Sequence, residues 1–386
     1  MPDAAHVLFV HSSSGRYGAD RQLLLIAAGL DRSRFRPLVV VPSSGPLVDD
    51  LRDAGVEVLI RPLGVIRREL ASPSGAARIA GGALSDAFAL RRVIQERRVA
   101  LVHSNTTVVL GGAAAAGLAR IPHAWHVREI YDARFGRLWP SYRRLLSRAA
   151  ALPCISDATA AQFRGSERVH VIPDGLAMSA DPLPRAEARR RLGLDPEVPV
   201  VAVLGRISDW KGQDVLVRAL ADPALAVRGT LGLIAGEAWP GAEDRGPNLS
   251  QLAAELRVSD RVRMLGFRDD VETVYGAADL VAVPSTAPEP LGDVAIEAAA
   301  SGCAVVASDH GGLPEIIRDG ETGRLVVAGD AGALARAAAE LLEDPDLRRR
   351  MGAAAAADVR SRFSAARLLE RLQNLYEGLL AGSRRG

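Results

Sequence analysis

Cysteine is nearly missing from this 386-residue chain, occurring only as Cys154 and Cys303. Two thiols exclude a disulfide framework and a cysteine-built zinc site. Aromatic residues make up 4% of the sequence, too few for the stacking platform of a single-stranded nucleic-acid binder. No apolar run is long enough to span a bilayer; the longest weakly polar stretch is Val108–Ala119. The opening MPDAAHVLFV lacks the basic segment and long apolar core of a secretory signal, so the expected location is the cytoplasm. Lysine is the scarcest charge: Lys211 stands alone against 47 arginines.

What is abundant is Ala, Gly, Val and Leu, within a hydrophobic fraction of 48%. That mix suits parallel sheets covered by Ala-rich helices. In the first half, short apolar runs at 6–10, 38–41, 56–60, 101–103, 123–126, 151–155 and 169–172 read as strands, with helical patterns such as 21–29 and 83–97 between them. The second half repeats the scheme at 200–204, 231–235, 262–265, 280–283, 304–307 and 325–327. Strands alternating with helices imply right-handed crossovers and parallel sheets. The turn-rich run Pro173–Pro184 marks the joint, which predicts domains of 1–178 and 179–386. Two such α/β units leave a cleft bounded by the C-terminal ends of their strands, where ligands of doubly wound folds bind.

Charge is spread unevenly. Residues 1–178 carry 23 Arg against 15 acids, whereas 179–386 carry 24 Arg and one Lys against 31 acids. The basic excess is sharpest from Arg61 to Arg148, with 15 Arg and 5 acids. It suggests an anionic partner for the first half, such as a phospholipid surface or a charged acceptor. Segments 65–70 and 135–144 mix apolar and Arg side chains as interfacial segments do, which predicts peripheral contact with the inner face of a membrane.

Three loops carry the chemistry. The first strand runs into His11-Ser-Ser-Ser-Gly15-Arg-Tyr-Gly18-Ala19-Asp20 and then a helix. A Gly/Ser loop feeding a helix N-terminus offers N–H groups to a phosphate or an acceptor hydroxyl, with Gly15, Gly18 and Ala19 as candidates. It matches neither dinucleotide nor P-loop spacing. The second is Gly205-Arg206-Ile-Ser-Asp-Trp-Lys211-Gly212, after a predicted strand. In so Arg-biased a sequence, the one surviving Lys marks a place where a compact ammonium fits and a planar guanidinium does not, as at a phosphate. The third is Pro284-Ser-Thr-Ala-Pro-Glu289-Pro-Leu291-Gly292-Asp-Val-Ala-Ile-Glu297. Pro288 and Pro290 hold Glu289 in an extended loop. Gly292 then opens a helix whose N-terminus adds positive dipole. Glu297 can accept ribose hydroxyls, as acids do in dinucleotide folds. Glu289 can bind sugar hydroxyls or support positive charge at an anomeric carbon.

On these residues the chain resembles the retaining, GT-B-fold glycosyltransferases of family 4. Two glutamates separated by seven residues, here Glu289 and Glu297, characterise that family. So do a Gly-Arg and Lys-Gly pair, here Gly205, Arg206, Lys211 and Gly212, and a run similar to 308–323. The resemblance implies an N-terminal acceptor domain and a C-terminal donor domain facing a cleft, with the last helix packing back on the first domain. It implies sugar transfer with retained anomeric configuration, no metal, and no cofactor beyond a UDP- or GDP-sugar cosubstrate. The acceptor class it suggests is a lipid-linked or cell-envelope glycan. Glu289, His126, Arg206 and Lys211 take the catalytic positions. Glu297, Gly292, Leu291, Gly205, Gly266, Phe267 and Arg268 take the donor-binding ones. His103 and Arg128 are weaker candidates, and Arg128 and Glu129 can bind acceptor or pair with each other. The family often has adjacent glycines followed by a glutamate in the first loop; this chain has Gly18-Ala19-Asp20 instead. Readings from other classes are a nucleotide-sugar 2-epimerase, which needs no acceptor, and a non-catalytic nucleotide-sugar binding protein. A phosphorylase is disfavoured because the only lysine already lies in the phosphate loop.

Overall fold

A computed structural model describes residues 4–66, 73–131, 136–177, 181–238 and 241–383. The chain forms two compact units, one of residues 1–177 with 365–386 and one of residues 178–364.

In the first unit, β1 (Ala5–Val10), β2 (Phe35–Val41), β3 (Glu57–Ile60), β4 (Val99–Ser104) and β5 (His123–Trp125) form a parallel sheet ordered β3-β2-β1-β4-β5. Successive β1 residues are buried on opposite faces. Val7 and Phe9 pack with Leu23, Ile26 and Phe35, while Leu8 and Val10 pack with Leu90, Val93 and Val102. Burial on both faces is why the strand reads as an unbroken apolar run rather than an alternating one. The helix Ala365–Ser383 joins the first of these layers through Leu368, Leu372 and Tyr376, all buried. The short strands β6 (Leu152–Cys154) and β7 (Val169–Val171) form their own parallel pair. Two single bridges, Ala124 to Ala151 and Val127 to Cys154, connect that pair to β5 and the residues after it. They do not extend the sheet as regular strands because β5 is only three residues long.

In the second unit, β8 (Val200–Leu204), β9 (Leu231–Ala235), β10 (Val262–Gly266), β11 (Leu280–Val283), β12 (Ala304–Ser308) and β13 (Gly323–Val326) form a parallel sheet ordered β10-β9-β8-β11-β12-β13. Its core packs Val201, Val203 and Ile234 against Leu216, Leu220, Ala335 and Ala338. Small residues on the helix Ala331–Glu343 let it lie close to the sheet. Both orders reverse once, between β1 and β4 and between β8 and β11. Such a reversal splays the crossover connections apart, and ligands of open α/β sheets bind in the crevice left there. No helix among the described residues is long and apolar enough to cross a membrane.

Candidate functional site

In the second unit the loops after β8 and β11 meet at the reversal point. Gly212 adopts φ +73°, and a Cβ there would stand 1.9 Å from the Pro284 carbonyl oxygen. The backbones therefore touch, and the Thr286 N–H donates to the Trp210 carbonyl at 2.8 Å. This contact brings the two sequence candidates together: Lys211 Nζ lies 2.7 Å from Glu289 Oε1. Ser285 Oγ donates to the same oxygen at 2.6 Å. A third loop, after β12, closes on Glu289 from behind. Gly312 N donates to the Glu289 carbonyl at 2.8 Å, and a Cβ on Gly311 would lie 2.4 Å from that carbonyl. His310 Nε2 donates to the Ser285 carbonyl at 2.9 Å. Glu289 is 3% exposed, so its charge is desolvated and held by a cation and a hydroxyl together. Lys211 Nζ also lies 4.4 Å from the Trp210 ring centroid, a cation–π contact that fixes the ammonium.

Gly205 and Arg206 follow β8. Gly205 N donates to the Ala235 carbonyl, and Gly236 N donates to the Gly266 carbonyl. A Cβ on Gly236 would come 1.9 Å from the Gly205 oxygen. The ends of β8, β9 and β10 are thus joined backbone to backbone, which leaves no room for a side chain at Gly236 (φ +147°), while Gly205 (φ +121°) and Gly266 (φ +66°) adopt backbone conformations that favour glycine. The Arg206 carbonyl accepts from Gln213 Nε2 at 3.1 Å, tying it to the start of the helix Gln213–Ala221. Phe267 is exposed at the end of β10, and Arg268 pairs with Asp270 at 2.6 Å.

Gly292 (φ +120°) caps the helix Asp293–Ala300, and Leu291 before it is buried. Glu297 lies within that helix, buried, with Oε2 accepting from Tyr275 OH at 3.0 Å.

In the first unit the loops after β1 and β4 meet at the other reversal. His11 Nε2 lies 2.8 Å from Asp20 Oδ1, Ser13 Oγ donates to the same oxygen, and Tyr17 N donates to Oδ2 at 3.0 Å. Burial alone pushes the Asp20 carboxyl up, but the bonds from His11, Ser13 and Tyr17 outweigh it and hold the group below its ordinary value. Gly15 lies against Asp20. Gly18 opens the helix Gly18–Gly29, and the Ala19 carbonyl accepts from Asn105 Nδ2 at 3.2 Å. Asp20 thus organises the loop from inside.

His103 lies in β4, and His126 follows β5 by one residue, its N–H bonded to the Ser104 carbonyl at 2.9 Å. Both are fully buried, and their rings meet at 3.2 Å between His103 Nε2 and His126 Nδ1. Arg128 does not pair with the Glu129 carboxylate. It reaches across to Asp174, with Nη1 to Oδ2 at 2.5 Å, and Nε donates to the Asn105 carbonyl at 3.0 Å. Glu129 instead accepts Thr107 Oγ1 at 2.8 Å and the Arg128 N–H at 3.1 Å. The reason is burial: a guanidinium 8% exposed needs acceptors on several sides, and its sequence neighbour supplies only one direction.

Several residues of these clusters were not singled out from the sequence: Ser285, His310 and Tyr275 in the second unit, and Asp174, Asn105 and Tyr376 in the first. Ser285 precedes Glu289 by four residues in a turn, a spacing that signals a local side-chain bond. Tyr376 left no signal, being 273 positions from its partner His103. Of the interfacial segments, residues 67–70 and 135 lie outside the described residues. Trp139 and Tyr142 turn inward: Trp139 stacks on Tyr131 at 5.6 Å between centroids, and Tyr142 OH donates to the Thr107 carbonyl at 2.5 Å.

Comparison with known proteins gives this arrangement a family. Residues 17–175 match the Glycosyl transferase 4-like domain, and residues 184–358 match Glycosyl transferases group 1. The D-inositol 3-phosphate glycosyltransferase of Nocardia farcinica is 44% identical over 222 residues, which is 55% of this chain and 48% of that protein. The enzyme of the same name from Salinispora arenicola is 46% identical over 171 residues, 42% of this chain and 38% of its own length. The chain thus spans about half or less of these curated relatives. Among solved structures, Anabaena HepE in complex with UDP-glucose superposes with a TM-score of 0.81 at 26% identity, covering 97% of this chain and 99% of that one. Sucrose-phosphate synthase from Thermosynechococcus elongatus shares the fold with a TM-score of 0.78 at 23% identity, covering 98% and 100%. With one domain family matched in each half and the fold shared over nearly its whole length, the chain belongs to the GT-B glycosyltransferases, as a 4-like domain followed by a group 1 domain.

Proposed function

We propose that this protein is a retaining, metal-independent glycosyltransferase that moves a hexose from a nucleoside-diphosphate sugar to an acceptor hydroxyl. The observation that carries the reading is the Lys211–Glu289 pair at the reversal point of the second sheet. An ammonium has three N–H donors, and only one is needed for Glu289. The others remain for the diphosphate, whose negative charge grows as it leaves. Glu289 Oε1 receives both Lys211 and Ser285, and Oε2 is left to take a sugar hydroxyl. Arg206 adds charge for the phosphates, Glu297 takes the ribose, and the loop around Phe267 and Arg268 takes the base. In the transfer step the bond from C1 to the phosphate oxygen breaks, a bond from the acceptor oxygen to C1 forms on the same face, and the acceptor proton passes to the departing phosphate. The complex of HepE with UDP-glucose favours a UDP-sugar as donor.

The Arg excess of residues 61–148 favours an anionic acceptor, and we assign the class as a lipid-linked or cell-envelope glycan, used at a membrane surface. Leu84, Phe88, Leu118 and Leu145 are exposed in the same region. Leu145 also lines a cavity of about 690 Å³, with Ala83, Ala114, Gly117 and Arg148. Apolar side chains set among arginines are the composition of a peripheral membrane contact.

The test is a thermal-shift screen with UDP-, GDP- and ADP-sugars, followed by transfer assays with the donor that binds. A ligand that binds only the folded chain raises its melting temperature. Expected are a shift with the UDP-sugar and an α-configured product from an α-configured donor. Epimer formed from donor alone, with no acceptor consumed, would establish the epimerase reading instead. Flotation with anionic vesicles, lost at high salt, is expected for the membrane contact.

A further inference from the structure

We infer that Tyr376, His103 and Arg128 hold His126 in the tautomer whose proton sits on Nε2, making it a hydrogen-bond donor to bound ligand and not a proton acceptor. The inference deepens the proposed function and rests on it for the identity of that ligand, a nucleotide sugar.

A guanidinium donates and never accepts. Arg128 Nη2 lies 3.5 Å from His126 Nδ1, so that nitrogen presents its lone pair. His103 Nε2 lies 3.2 Å from the same Nδ1. Two lone pairs cannot face each other, so His103 carries its proton on Nε2 and donates it. His103 Nδ1 is then bare, and it accepts from Tyr376 OH at 2.8 Å. The reverse direction would require an N–H on His126 Nδ1 aimed at the Arg128 N–H groups, two donors in opposition. Arg128 is itself fixed by Asp174 and Asn105, so the chain is held at both ends, by that ion pair and by the Tyr376 hydroxyl on His103.

The consequence falls on His126 Nε2. It carries the ring's only proton, is buried, and has no hydrogen-bond partner among the described residues. An unmet buried donor costs about 1–3 kcal/mol, so an acceptor that the described residues do not supply is expected to meet it. Burial, and then the Arg128 charge, hold both imidazoles uncharged by lowering their proton affinity. Other polar groups about the pair are Tyr376, Asp174 and the uncharged His123. A base at this position would need a free lone pair on Nε2, and this arrangement removes it. Tyr376 belongs to the helix Ala365–Ser383, so the last helix is a positioning element for His126.

The test is 15N-histidine NMR of the full chain with long-range proton correlations, recorded without donor and then with UDP-glucose. Expected is a single His126 tautomer protonated at Nε2 across about pH 6–8, and a displaced Nε2 signal when donor is added. Tyr376→Phe removes only the hydroxyl. It is expected to give an averaged tautomer at His103 and His126 and to lower kcat about tenfold, the effect of roughly one hydrogen bond. A purely structural role for Tyr376 would lower the melting temperature and leave the wild-type spectrum in place, and that result would overturn the inference. So would a wild-type proton on Nδ1, which decides the matter even where the variant fails to fold. The donor-free spectrum does not depend on activity. The Nε2 tautomer with no response to any nucleotide sugar would therefore sink the proposed function and leave the relay standing.

Discussion

At the scale of single residues, the difference between Lys and Arg separates a specific site from a general basic surface. Lys211 reaches Glu289 Oε1 at 2.7 Å while packed against Trp210. A guanidinium is wider and planar, and it would have to displace Ser285 or the ring to keep the same contact. Lys211→Arg is therefore expected to lower kcat/KM by about 10²-fold or more, the size of a lost electrostatic donor, while the melting temperature stays close to that of the parent. A variant with unchanged kcat/KM would mean that the lone lysine reflects only sequence bias. Glu289→Gln preserves shape and the Ser285 contact but removes the charge that Lys211 faces. The proposed role of the carboxylate, acting on charge that develops in the transition state, predicts a fall in kcat larger than the rise in donor KM. Equal binding and turnover in Glu289→Gln would remove Glu289 from the chemistry.

At the scale of elements, the site exists because loops approach without side chains between them. Gly212 shows this most sharply: positive φ and a carbonyl at 1.9 Å from the missing Cβ together forbid any other residue. Gly212→Ala would cost about 1–2 kcal/mol for the left-handed backbone and about 1–3 kcal/mol for overpacking. Its loop would separate from Pro284, carrying Lys211 away from Glu289. Expected are a melting temperature several degrees lower and weaker nucleotide binding, measured by differential scanning fluorimetry with and without UDP. Much of this architecture was legible in advance. The strand runs at 200–204, 231–235 and 280–283 coincide with β8, β9 and β11 because buried parallel strands are continuous apolar blocks. Lys211, Glu289 and Glu297 stood out through rarity and spacing. What stayed hidden was every contact that depends on chain reversal. Arg128 looked like a partner for its neighbour Glu129, yet bonded Asp174, 46 positions away. Asp20 stood out only as a departure from the family's loop pattern, and it closes its own loop through His11 and Ser13. Sequence periodicity reports which face is buried, and it does not report which buried polar groups share that space.

At the scale of the whole molecule, the last helix and the buried histidines set the stability of the first unit. Leu372 is fully buried in that unit's core, so Leu372→Ala should cost about 2–5 kcal/mol. Limited proteolysis should then cleave within residues 1–177 before it cleaves within 178–364. Acid should act on the same unit. His103, His123 and His126 are buried and uncharged, with their proton affinity lowered chiefly by desolvation, in the case of His123 to about 3. In the unfolded chain each protonates near its ordinary value of about 6.5. Below that pH the unfolded state binds more protons than the folded one, so stability rises with pH there and is lost on acidification. Each histidine contributes roughly 1.4 kcal/mol per pH unit below about 6.5. Glu129 acts in the opposite sense, because burial raises its carboxyl and the folded state takes up that proton first. Burial raises the Asp86 carboxyl in the same sense, and the window of both acids lies closer to the carboxylate range, below the one in which the histidines act. The melting temperature of the first unit should therefore hold constant above about pH 7 and fall steeply between about pH 6 and pH 5. His123→Asn can keep a hydrogen bond to Ser104, which His123 Nε2 meets at 3.0 Å, while removing one titrating group. It should make that fall shallower, and an unaltered slope in that variant would show that the acid sensitivity arises elsewhere.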